Sequence, residues 1–110
     1  MLSAADSAKT LLVGWRSRQP STEVDVYLKT PDVSVESTGV ITDLSDACLT
    51  IALSNGSGTI RLFLFDVVLD SFVPPKPSPI EPDKTKDCVA GVVIIRDGEA
   101  ICVLFEMPKK

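Results

Sequence analysis

The chain has 110 residues, 45% hydrophobic and 24% charged, with a formal net charge of −4 and no histidine. This fits one ordinary domain, above the size at which a single core becomes marginal and too apolar for disorder. It argues against a helical membrane span, since no run approaches the roughly 18 apolar residues one needs, and against general nucleic-acid binding, because an acidic surface repels phosphate backbones.

The opening MLSAADSAKTLLVGW has no basic leader and breaks its short apolar patch with Asp6 and Lys9. It reads as part of the fold and not as a signal peptide, which points to the cytoplasm. A helix is expected over residues 3–18. Ser3 can cap its first turn, and Asp6 favours the positive end of the dipole. Ala4, Ala8, Leu11, Leu12 and Trp15 form one stripe, and Pro20 forbids continuation.

The period then changes from 3.6 to 2. TEVDVYLKT alternates, with Val24, Val26 and Leu28 on one side, and PDVSVES continues the pattern with Val33 and Val35. A strand to Thr42, a turn at Asp43 to Asp46 and a strand from Cys48 to Leu53 follow. SNGSG is a tight turn, since Asn and Gly tolerate positive φ. TIRLFLFDVVLDSFV exceeds ordinary strand length, so it should divide or bend near Asp66. PPKPSPIEPDKTKD carries five prolines in 14 residues. It reads as an extended or mobile linker with no helix or central strand.

Last comes VAGVVIIRDGEAICVLFEMP, a hairpin with Asp97-Gly98 as its two-residue turn. Uninterrupted pairing puts Arg96 opposite Glu99, Ile94 opposite Ile101, Val92 opposite Val103 and Ala90 opposite Phe105. The other face then holds Ile95 with Ala100, Val93 with Cys102 and Gly91 with Leu104. Neither face is polar, so each needs a cover. The large-residue face suits a core. The N-terminal helix is the first candidate to lie over the small-residue face, and another copy of the protein is the second. The long tether permits exchange between copies. Gly91, Val92, Ile94, Cys102, Val103 and Phe105 are therefore the expected contact residues of a homodimer or of a complex with another protein.

The whole reads as mostly β: an N-terminal helix, strands over 22–73 forming a small antiparallel barrel of five to seven strands, a proline-rich linker over 74–87 and a C-terminal hairpin over 88–107, all in one domain. The segment from Trp15 to Phe65 resembles a degenerate PilZ domain. WRSRQP stands where that family carries its arginines, and DLSDAC matches its D/N-x-S-x-x-G turn at Asp43 and Ser45, with Cys48 in place of the glycine. The resemblance implies a small barrel binding cyclic di-GMP through Arg16, Arg18, Asp43 and Ser45. VDVYL followed by TGVITD is similar to the first motif of Sm-like barrels, which also place a helix before bent strands.

Chemistry is thinly represented. Without histidine, Ser-His-Asp and Cys-His pairs cannot be built. Cys48, Cys88 and Cys102 have no CxxC spacing and read as free thiols in a reducing compartment, so no metal or cofactor is expected. WRSR and the terminal PKK read as solvated clusters. The expected function is a non-enzymatic interaction module that self-associates through its hairpin, with a cyclic-dinucleotide-binding domain as the alternative.

Overall fold

In the computed structural model, helix α1 (Ala4–Ser17) forms as its stripe predicts: Ala8, Leu12 and Trp15 are all buried. The structure describes residues 4–18, 22–30, 34–54, 56, 58–76, 78–80 and 82–108, so the expected Ser3 cap, Pro20, Val33 and, in the SNGSG turn, Asn55 and Ser57 lie outside the described residues. At the helix end the Thr22 N–H donates to the Trp15 carbonyl at 3.0 Å, satisfying one of the carbonyls a helix leaves open there.

Seven strands follow: β1 (Val24–Lys29), β2 (Ser34–Leu44), β3 (Cys48–Leu53), β4 (Thr59–Phe63), β5 (Val67–Phe72), β6 (Ala90–Arg96) and β7 (Glu99–Glu106). They make one antiparallel sheet in the order β4-β3-β2-β1-β7-β6-β5. The long apolar run does divide at Asp66, which adopts φ 58°. Its two halves do not pair with each other. They become the two opposite edges of the sheet.

That placement dictates the shape. Edge strands of a flat seven-stranded sheet stand roughly 29 Å apart at the usual spacing. Phe63 and Val67 are joined by residues 64–66, which reach at most about 14 Å. The sheet must therefore curl until its edges meet at this corner, with α1 packed on β2, β5 and β6. Among the described residues the expected barrel is not closed, because β4 pairs only with β3 and β5 only with β6.

Hairpin β6–β7 turns at Asp97 and Gly98, both at positive φ (54° and 79°), as a primed turn requires. The expected register holds only for Arg96 with Glu99 and Ile95 with Ala100. A bulge at Ile101 then shifts it by one, so that Ile94 faces Cys102, Val92 faces Leu104, Val93 faces Val103 and Gly91 faces Phe105. Val103 and Phe105 move to the face of Gly91 and Val93. Cys102 and Leu104 move to that of Val92 and Ile94.

The two faces have different covers. Val92, Ile94, Cys102 and Leu104 join the main core with Ala8, Leu12 and Trp15 of α1. The helix thus covers the Val92–Ile94 face, and not the Gly91–Val93 face proposed for it. Val93, Val103 and Phe105 form a second cluster with Phe72 and Cys88, against which Ile80, Tyr27, Ile95 and Ala100 pack. The proline-rich segment supplies Ile80, and Cys88 follows directly after it. The segment is a packed cover and not a free tether, with Ser78 and Thr85 also buried. It contains a helical turn, α2 (Pro82–Thr85), contrary to expectation. Pro82 stands at its first position, where the missing N–H costs no hydrogen bond.

Candidate binding surface

The six hairpin residues expected at an interface lie inside the chain. Val92, Ile94, Cys102, Val103 and Phe105 expose 1% or less, and Gly91 is buried beneath the Phe72 ring. A Cβ built on Gly91 would stand 2.2 Å from Phe72 Cζ, so the small residue does permit a close approach, by a side chain of β5. The hairpin's two-sided apolarity is satisfied within one chain and does not by itself require a second copy.

Among the described residues, four of the seven exposed large apolar side chains lie where the sheet fails to close, while Val73, Val89 and Met107 flank the ends of β5, β6 and β7. Val13 of α1, Phe63 at the end of β4, Phe65 in the corner and Val68 of β5 are all more than half exposed. A groove of about 710 Å³ runs between α1 and this corner. Leu12, Val13, Leu64 and Val67–Leu69 line it, with Lys9 and Arg16 on the helix side and Ser45 and Asp46 at the β2–β3 turn. The volume lies within the range of ligand pockets. The sequence carried a signal for this surface: LFLF puts large apolar residues on both parities of one strand. Ile60, Leu62 and Leu64 take the inner side and pack on the core, leaving Phe63 and Phe65 outside.

The four residues singled out by the PilZ resemblance separate. Arg16 Nη2 lies 3.9 Å from Asp43 Oδ1, both side chains well exposed, and Arg16 shares the groove with Ser45. Arg18 leaves this group. It donates to Glu106 Oε2 at 2.9 Å and to Thr22 Oγ1 at 3.0 Å. Glu106 accepts the Trp15 indole N–H at 3.0 Å through its other oxygen, so the pair ties the helix end to β7. Ser45 and Asp43 are engaged with the backbone. Ser45 Oγ accepts from the N–H groups of Ala47 and Cys48, and Asp43 Oδ1 accepts from that of Leu44.

The cysteines are free thiols. Burial raises the Cys102 pKa to about 12, and it raises that of Cys88, against a partial lowering by a backbone hydrogen bond. Such thiols are poor nucleophiles at neutral pH, because the thiolate is the reactive form. On β1, Asp25 has its pKa raised by partial burial first and then by the nearby Glu23 and Glu36 carboxylates. Among the described residues no group of three His, Cys, Asp or Glu side chains is arranged to hold a metal ion. No helix there is long and apolar enough to cross a membrane.

The fold and surface define a class: a curled, open antiparallel sheet packed on one helix, with an apolar groove at the opening. Comparison with protein-family models, with curated proteins and with solved structures gave no match.

Proposed function

We propose that the chain is a non-enzymatic interaction module that self-associates, and that its contact surface is the open corner of the sheet and not the hairpin. The observation that carries this reading is the exposure of Val13 at an apolar groove and of Phe63, Phe65 and Val68 on the outer side of the same open corner, beside unpaired sheet edges. Large exposed apolar patches mark interaction sites more often than they occur by chance on a monomer. The absence of histidine and the engagement of Ser45 within its own turn favour binding over catalysis. Three free thiols favour a reducing, cytoplasmic setting. Sedimentation velocity across a micromolar concentration series tests the proposal: a rising weight-average mass supports it, and a monomer throughout refutes it.

A second reading is an anionic nucleotide, such as a cyclic dinucleotide, held at Arg16. The approach of Arg16 to Asp43 and its place beside Ser45 in the groove favour it. Calorimetric titration with cyclic di-GMP tests it. Saturable heat that disappears in Arg16→Ala supports nucleotide binding, and no heat refutes it.

A further inference from the structure

We infer that the second copy docks along the first half of the β5 edge, pairing Val67 and Leu69 with the same two residues of its partner in reverse order, about a two-fold axis at Val68. This rests on the self-association reading and assigns its surface.

The assignment starts from backbone direction. The Ser71 N–H goes to Asp70 Oδ1 at 2.8 Å, and its carbonyl accepts Lys76 Nζ at 3.4 Å. Both groups of Ser71 thus point away from β6, toward the open edge. Alternation along a strand gives Val67 and Leu69 the same direction, while Val68, Asp70 and Phe72 bond to β6. The second half of the edge is thus covered by Asp70 and Lys76, which also pair at 3.7 Å. The first half has neither the lysine, the proline nor the bulge that ordinarily blunts an edge; α1 packs on β5 from the inner side, where Leu69 is 6% exposed. The opposite edge is better protected. Exposed Arg61 sits at the middle of β4, and Arg96 Nη2 donates to the Phe63 carbonyl at 2.9 Å. Pairing of β5 with β5 is therefore favoured over pairing of β5 with β4, and a closed dimer over a ring or filament.

Side chains agree with this choice. Leu69 is buried and Val67 packs on the core, so their neighbour Val68, 60% exposed, points to the outer face. In the proposed register Val68 meets its copy as a non-hydrogen-bonded pair, where Cα atoms approach to about 4.5 Å. Val13 lines the groove on the inner side, so apolar side chains flank the new ladder on both faces. Val13, Phe63, Phe65 and Val68, each more than half exposed, are the apolar side chains available to add to the ladder. The register also brings Asp66 opposite the partner's Asp70, whose charge Lys76 already offsets.

Sedimentation velocity and amide exchange on the full chain test this together, with Val68→Lys and, as comparison, the exposed Val73→Lys just beyond the end of β5. The expected result is a dimer in which the Val67 and Leu69 amides become protected as concentration rises while those of Arg61 and Phe63 do not. Val68→Lys should weaken dimerisation by about tenfold or more, with two ammonium groups at the axis, and Val73→Lys should not. Val68 is exposed on an edge, so the variant should keep the wild-type Trp15 emission as evidence of folding. A dimer without protection at Val67 and Leu69, a dimer unaffected by Val68→Lys, or a larger assembly overturns the β5 pairing alone. A monomer at every concentration overturns the self-association reading itself, and this inference with it.

Discussion

Replacing Gly91 by alanine probes the second apolar cluster at its tightest point. The new Cβ would lie 2.2 and 2.3 Å from Phe72 Cζ and Cε1, where ordinary contact begins near 3.4 Å. The ring must therefore retreat by more than 1 Å. Phe72 is itself buried against Cys88, Val93, Val103 and Phe105, so little space receives it. If the cluster absorbs the strain, the cost is about 1–3 kcal/mol, as for other overpacked cores. If Phe72 loses its seat, the cost approaches the roughly 3–5 kcal/mol of deleting a buried phenylalanine. Urea unfolding followed by emission of the single tryptophan, Trp15, measures the change, because that side chain is buried when folded. The decisive variant is the double substitution Gly91→Ala with Phe72→Ala. Once the ring is gone the added methyl meets no obstacle, so the double variant should be little less stable than Phe72→Ala alone. Additivity of the two costs within about 0.5 kcal/mol would refute the contact.

The remaining predictions concern other parts of the chain. Glu106→Gln keeps an acceptor for the Trp15 indole and gives up the charge facing Arg18, whereas Glu106→Leu leaves a buried N–H unpaired. The leucine variant should lose about 1–3 kcal/mol and the glutamine variant less, and equal losses in urea unfolding would contradict the assignment. Because the folded pKa of Asp25 is raised, its contribution to stability is fully present below the ordinary carboxylate range and is lost as pH rises through the folded value. Asp25→Asn should therefore be more stable than wild type at neutral pH, with the gap shrinking as pH falls below the ordinary carboxylate value. A gap that widens on acidification would reverse the sign. In folded protein at mildly alkaline pH a thiol reagent should modify half-exposed Cys48 first and Cys102 last, as read by mass spectrometry of peptides. Modification of Cys102 ahead of Cys48 would contradict its burial.

Much of the fold was legible because local rules and tertiary packing agree. The helix stripe from Ala8 to Trp15, the division at Asp66 and the Asp97-Gly98 turn each follow from spacing or from backbone preference. The hairpin register was not legible beyond Ile95, because the bulge at Ile101 leaves no mark in a run where every residue is apolar. Strand order was equally hidden. Consecutive strands usually pair, and nothing in TIRLFLFDVVLDSF says that its halves go to opposite edges. The proline count suggested a tether, yet Ile80 and Cys88 within and just beyond it find an apolar face to cover. Proline restricts backbone geometry and does not forbid packing. At the candidate site, the doubled apolar parity of LFLF was visible in the sequence. Its meaning depended on the open corner, which only the topology creates.

The central claim is that one chain covers both faces of its own hairpin, leaving the β5 edge for association. Residue-resolved amide exchange of β6 and β7 in dilute, monomeric protein tests it most directly. Strong protection of Val92, Val93, Val103 and Leu104 that does not change with protein concentration is the predicted result. Protection of those amides that appears only as the protein associates would show that a second copy supplies the cover.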